Sequence, residues 1–225
     1  YAKRTDGRKF DEMRKIEAKV GVIKNANGSA MFQFGDTIAI AAVYGPRDLY
    51  PKFLQNPEEG ILRCNYNMLS FSVNERIRPG PSRRSKEISL VTERALIPAL
   101  NLKEFPGAVV DVFIEIVQAD AGTRCAGICA ASIALADAGI PMKDLVSAVS
   151  VGKVGDKLVV DLNKDEEDYE EGSTDMPVAM LPRNNEISLL QLDGDLDAKE
   201  ILKALELAKK ACSEIYEIQK DALKN

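Results

Sequence analysis

A glycine turn that ends in arginine, a pair of adjacent arginines and a run of acids are the parts of this sequence that could do chemistry. The turn is A-D-A-G-T-R at residues 119–124, between an apolar stretch and an alanine-rich one. Gly122 lets the backbone approach a ligand closely. The amides of Thr123 and Arg124 would open a helix, where free N–H groups and the macrodipole attract an anion such as phosphate. An arginine in a first helical turn opposes that dipole, which argues for a negative partner at Arg124; the plainer reading is a glycine turn with Thr123 as N-cap. The basic run at residues 76–86 carries five positive charges in eleven positions around Pro-Gly-Pro. Its prolines are expected to keep it out of a helix and to stiffen it, presenting Arg83 and Arg84 to phosphates. A solvated basic loop is the alternative. The acidic run at residues 165–177, D-E-E-D-Y-E-E-G-S-T-D-M-P, sets Asp168 and Asp175 seven residues apart across a glycine-containing loop. Both could face one site and hold Mg²⁺ through oxygen ligands, although such runs are often only acidic surface. Asp175 stands where the chain turns apolar again.

Composition narrows the chemistry further. Histidine is absent, which removes Ser-His-Asp and Cys-His catalysis and His-ligated zinc. Carboxylates, arginines, backbone amides and a hard metal ion remain. A net charge of -5 disfavours a protein that coats nucleic acid over its whole surface, while a local basic patch stays compatible. The four cysteines (Cys64, Cys125, Cys129, Cys212) form no CxxC pair and suit a reducing compartment. Cys125 and Cys129 read as buried packing thiols. No stretch approaches the roughly 18 apolar residues of a membrane span, and the polar start lacks a signal-peptide core. A soluble, cytoplasmic protein is expected.

The elements that must position these residues follow from patterning. Residues 16–23, 29–34, 37–45 and 62–73 read as strands, the first three joined by short Asn/Gly turns as in an antiparallel meander. A loop with three prolines covers 46–60. Helical spacing appears from Ile88 to Leu96, a β-branched strand at 109–118, and a small-residue helix from Cys125. A hairpin turns at Gly155-Asp156, strands follow at 177–181 and 187–192, and an amphipathic helix starts near Asp197 with a capping-box partner at Glu200. The expectation is one α+β domain over 1–225, with a core at roughly 15–145 and a C-terminal part at roughly 146–225 that holds the acidic loop and the last helix.

Five short motifs then fall in order. T-D-G-R (5–8), P-S-R-R (81–84), Q-A-D-A-G-T-R (118–124), A-L-A-D-A-G-I-P-M (134–142) and D-M-P (175–177) together resemble the RNase PH family, within it the catalytic RNase PH-like subunits of archaeal exosomes. The resemblance spans residues 4–223. It implies the ribosomal protein S5 domain 2-like α+β fold and a phosphate-dependent 3′→5′ exoribonuclease that is reversible to tail addition. By the same resemblance Gly122, Thr123 and Arg124 bind inorganic phosphate, Arg83, Arg84 and Arg76 contact RNA, and Asp168 and Asp175 are catalytic and hold Mg²⁺. The spacing of those acids is one residue longer here than in typical relatives, which leaves Glu167 beside Asp168 as a candidate for the first position. Arg47 and Lys52 would line a pore that guides single-stranded RNA. The implied partners are an inactive RNase PH-like paralogue, alternating with this chain in a hexameric ring, and RNA-binding cap subunits. Two rivals remain: a non-catalytic, RNA-binding scaffold subunit of such a ring, and a small-molecule kinase, which would need a Gly/Ser-rich ATP loop that the sequence lacks.

Overall fold

Alternating apolar residues build the first sheet. In the computed structural model, which describes residues 1–170 and 172–224, β1 (Ile16–Val20), β2 (Gly28–Phe34) and β3 (Thr37–Asp48) form an antiparallel meander. Ala30, Phe32 and Phe34 on β2, with Ala39, Ala41 and Val43 on β3, share its buried face, as a period of two requires. β5 (Ala108–Gln118) pairs antiparallel with β3, and β4 (Ile61–Met68) lies parallel to β5 at the edge, in the order β1-β2-β3-β5-β4. A parallel pair needs a crossover, which runs through α1 (Arg83–Leu96). The second sheet, β7-β6-β8-β9, is antiparallel throughout and consists of β6 (Ser147–Val154), β7 (Lys157–Val160), β8 (Ser173–Leu181) and β9 (Glu186–Leu190).

α2 (Thr123–Asp137) lies between the sheets, packing on β2, β3 and β5 from one side and on β6 and β8 from the other. Every residue from Cys125 to Leu135 is buried, on all faces of the helix, the pattern of a core helix. Burial pushes the Cys129 thiol up to about 12, so it packs as a small apolar group. One hydrophobic cluster extends through both sheets, from Ala30 to Ile215. α4 (Ala198–Lys224) closes the second sheet; Asp197 and Glu200 exchange the reciprocal bonds of a capping box.

Three boundaries differ from expectation, each for a local reason. β3 continues past Pro46 to Asp48 because the register shifts between Tyr44 and Arg47, so the ladder does not need the missing proline N–H. The fourth strand stops at Met68. The prolines at 79 and 81 do not hold Arg83 and Arg84 in a loop: Ser82 and Ser85 bond reciprocally as a cap, and both arginines lie in the first turn of α1. In the acidic run, Glu171 falls outside the described residues. Asp165, Glu166 and Glu167 belong to a single helical turn, α3 (Lys164–Glu167), while Asp175 is a residue of β8.

Gly152 on β6 pairs with Asp175 on β8, and a Cβ there would stand 1.8 Å from the Thr174 carbonyl oxygen. Gly152→Ala is therefore expected to destabilise the protein by about 2–3 kcal/mol, the usual penalty for overpacking. Thermal denaturation reads this out, and an unchanged melting temperature would contradict so close a strand approach.

Candidate active site

Three helices and one strand converge on a cavity of about 780 Å³. Arg84 from α1, Thr123 and Arg124 from α2, Glu167 from α3 and Asp175 from β8 all line it. Residues some ninety positions apart in sequence thus share one space. An open groove of about 500 Å³ between residues 9–16 and α4 is also lined by charged residues, but by none of those singled out from the sequence.

At the positive side, Ala121 and Gly122 both adopt left-handed backbone angles, φ 58° and 64°. They turn the chain sharply into α2. No side chain among the described residues caps that helix, so its first amides face the cavity, the arrangement that favours an anion. Thr123 is not the cap. Its hydroxyl accepts a 2.9 Å bond from the buried Tyr66 hydroxyl, which leaves the Thr123 proton free to donate into the cavity. Arg124 donates Nη1 to Gln191 and Nη2 to Glu87 at 3.2 Å. Glu87 also accepts from Gln191 Nε2 at 3.1 Å, so a carboxylate already answers the arginine in that first turn. Arg124 Nε is buried without a partner among the described residues, a donor of the kind an entering oxyanion satisfies.

On the negative side, Asp175 accepts a short hydrogen bond from the Ser150 hydroxyl. Burial pushes its carboxyl above the usual range, against the pull of Ser150 and Arg124. Glu167 faces the same space. Burial and then the Asp175 charge push its carboxyl up to about 7, as like charges sharing a site require. Asp168, the first acid implied by the resemblance, lines the rim with its side chain 63% exposed and paired to Lys164 Nζ at 2.6 Å. The structure therefore brings Glu167 and Asp175 together, with Asp168 one step outward. Carboxylates are the oxygen donors a hard cation takes, but among the described residues no three acidic, cysteine or histidine side chains form a group that could hold a metal ion; an ion there would have to complete its shell from water and substrate phosphate, as Mg²⁺ characteristically does.

A folded-state pKa of about 7, against an ordinary 4.5, means that folded Glu167 keeps a proton that the unfolded chain has released. Stability from this group then falls as pH rises from about 4.5 through 7. Metal-free Glu167→Gln should exceed wild type by about 1–2 kcal/mol above pH 7, the full shift being discounted for partial solvent access. The gap should close near pH 4.5. Denaturation in EDTA across that range measures it, and a gap independent of pH would contradict the assignment.

The other sequence candidates lie elsewhere. Arg83 and Arg76 are exposed and do not line the cavity, although Ile77 beside Arg76 does. Arg47 pairs with Asp111 at 2.5 Å, and so does Arg63 at 2.7 Å. Lys52 is exposed in a short 3₁₀ turn, Lys52–Leu54, beside the exposed Phe53. This basic patch at the far end of the first sheet is separate from the cavity. Tyr66, Ser150, Glu87 and Gln191 were not singled out by sequence; each acts on a partner at least 25 residues away, where no local motif signals it.

Helix amides, guanidinium groups and carboxylates around one cavity are the parts expected of an enzyme class that handles phosphate groups. Two family models, described as the 3′ exoribonuclease family, domain 1 and domain 2, match residues 12–141 and 144–211. The chain belongs to this family, that of RNase PH. It is 57% identical over 222 residues, 99% of this chain and 88% of the relative, to the exosome complex component Rrp41 of Pyrococcus furiosus. To the protein of that name in Cenarchaeum symbiosum it is 51% identical over 220 residues, 98% and 90% of the two chains. Among solved structures it resembles an Archaeoglobus fulgidus exosome with RNA bound to the active site, with TM-score 0.81 and 26% identity over 96% of this chain and 92% of that one. Rice Rrp46 matches with TM-score 0.88 and 25% identity over 99% and 100%. The expected α+β fold is thus the RNase PH-like fold of exosome subunits.

Proposed function

We propose that this chain is the catalytic subunit of an exosome-type assembly, a phosphate-dependent 3′→5′ exoribonuclease that releases nucleoside diphosphates from single-stranded RNA and runs in reverse as a 3′ tail-adding enzyme. The observation that carries this reading is the single cavity shared by Arg84, Thr123, Arg124 and Asp175, in a chain 51–57% identical to proteins named exosome complex component Rrp41. Inorganic phosphate is the nucleophile: one of its oxygens bonds to the terminal phosphorus while the bond to the preceding 3′ oxygen breaks. The missing histidine is then no obstacle.

The protein's task is to hold two mutually repelling anions in line and to stabilise the charge that develops. The α2 amides, the Thr123 hydroxyl and Arg124 take the attacking phosphate. Arg84 faces the terminal RNA phosphate. Glu167, with a pKa near neutrality, holds a proton where the leaving 3′ oxygen needs one. While Glu167 keeps that proton, Asp175 with Asp168 would hold a Mg²⁺ ion, whose charge when bound favours departure of that oxygen. Contacts to phosphate and sugar carry little base information, so degradation is largely independent of sequence.

The same reading extends to a hexameric ring in which this chain alternates with an inactive RNase PH-like paralogue under RNA-binding caps, in the cytoplasm, with Arg47, Lys52, Arg76 and Arg83 guiding RNA toward the cavity. No helix among the described residues is long and apolar enough to cross a membrane. A purely scaffolding role accounts for the basic surface but leaves the paired acids and the uncapped helix without a use.

The deciding experiment mixes the chain, with and without its paralogue, with poly(A), Mg²⁺ and either phosphate or none. ADP that appears only with phosphate supports the proposal. Release of AMP by water would replace phosphorolysis with hydrolysis.

A further inference from the structure

We infer that Asp120 and Arg14 are positioning residues: together they form a joint that fixes the phosphate turn at a set distance from the acidic turn α3. The inference rests on the phosphorolytic reading above and names residues that reading does not use.

The Asp120 carboxylate touches both halves of the site from behind. Its Oδ1 accepts the backbone N–H of Lys164, the first residue of α3, at 3.0 Å. Its Oδ2 accepts Arg14 Nη1 at 3.2 Å, and its carbonyl oxygen accepts the same nitrogen in a short bond. Two residues beyond Asp120 the turn reaches Gly122 and the start of α2; three residues beyond Lys164 stands Glu167. One side chain therefore ties the phosphate turn to the acid that faces Asp175. Neither Asp120 nor Arg14 lines the cavity, so both act through other residues.

Arg14 anchors the joint in the core. Its Nε and Nη2 bond the two carboxylate oxygens of Asp161 at 2.9 and 2.7 Å, and its own backbone N–H bonds Asp161 at 2.8 Å. Arg14 is 8% exposed and Asp161 2%, which makes this a two-pronged, charge-assisted contact held from both sides. The guanidinium also lies against the turn: a Cβ on Gly122 would be 3.2 Å from Nη2. Buried Thr37 pins the turn once more, accepting the Asp120 N–H at 2.9 Å and donating to the Ala121 carbonyl at 2.6 Å. Ala121 and Asp161 both hold positive φ without being glycine, 58° and 56°. Such angles persist where surroundings over-determine them, characteristically at sites that depend on a fixed geometry.

Lys164→Pro tests the joint without disturbing a buried charge. Proline removes the one N–H that Asp120 holds on α3, at a first helical position where proline is well tolerated, and Asn163 before it is already extended, φ -92° and ψ 177°. Lys164→Ala removes the same side chain and keeps the N–H, so it is the reference. With both variants assembled as for wild type, kcat for phosphate-dependent ADP release from poly(A) should be about 10- to 100-fold lower in Lys164→Pro than in Lys164→Ala, the range expected when reacting groups are misplaced by about an ångström. KM for phosphate should stay within about threefold, because the turn itself is intact. Asp120→Asn added to Lys164→Pro should cost less than it does alone, since both changes break the same joint. Equal kcat in the two Lys164 variants, or a rise confined to the KM for phosphate, would overturn the inference. A wild-type preparation that makes no ADP would instead refute the phosphorolytic reading beneath it.

Discussion

Asp175→Asn is expected to lower the rate of phosphate-dependent ADP release by about 10³-fold while the melting temperature stays level or rises. The loss has the size seen when one preorganised electrostatic group is removed from a reaction centre. Asparagine has the shape of aspartate and can still accept from Ser150, so β8 keeps its register. Stability should not suffer, because the native site holds the carboxyl above its ordinary range through burial and the nearby Asp193 charge, and a neutral side chain escapes that repulsion. KM for phosphate should move little, since Thr123 and Arg124 are untouched. Rate measurements beside thermal denaturation check both halves; a variant that is inactive only because it melts would refute the argument. The companion pair Glu167→Gln and Asp168→Asn ranks the remaining acids. The geometry favours the larger loss at Glu167, since Asp168 already spends its charge on Lys164 in solvent.

Removing the guanidinium should strike the other anion. Arg124→Ala is expected to lower kcat/KM for phosphate by about 10²–10³-fold, mostly through KM, because a charge-assisted contact in a partly desolvated site is lost. Lysine should not restore it. Gln191 and Glu87 hold the planar group by its two outer nitrogens, leaving Nε as an additional fixed donor, and an ammonium cannot reproduce that fork. Initial rates across a phosphate titration decide the matter. Full rescue by Arg124→Lys would show that only the charge counts, and an unchanged KM would place the nucleophile elsewhere.

Much of the fold was legible because apolar alternation in β2, β3 and β5, together with the unbroken small-residue run of α2, leaves few ways to bury them. The turn at 119–124 was legible as a strand-to-helix junction that opens on the cavity, because glycine, a hydroxyl and an arginine are chemically unusual together at such a place. The N-terminal half of the basic run was not misread, but Arg83 and Arg84 were. Ser85 does the work more often done by Glu or Gln in a capping box, so the S-R-R-S spacing hid a helix start. The acids were half legible. Asn163 and Glu166 do carry a recognisable cap spacing, and Glu166 is further fixed by the fully buried Arg4 at 2.7 Å. That pairing joins residues 162 positions apart and decides which way the turn rolls, bringing Glu167 inward and leaving Asp168 outward. Nothing near Glu167 in sequence encodes it.

α2 begins at the cavity, where the proposed mechanism seats phosphate, and is clasped by a sheet along each side. Tilting it enough to shift Thr123 would open voids on both sides at once, which close-packed interiors resist. On the phosphorolytic reading, α2 therefore holds its place through the cycle. After each cleavage it would be the shortened strand that slides forward by one nucleotide to meet this fixed helix end.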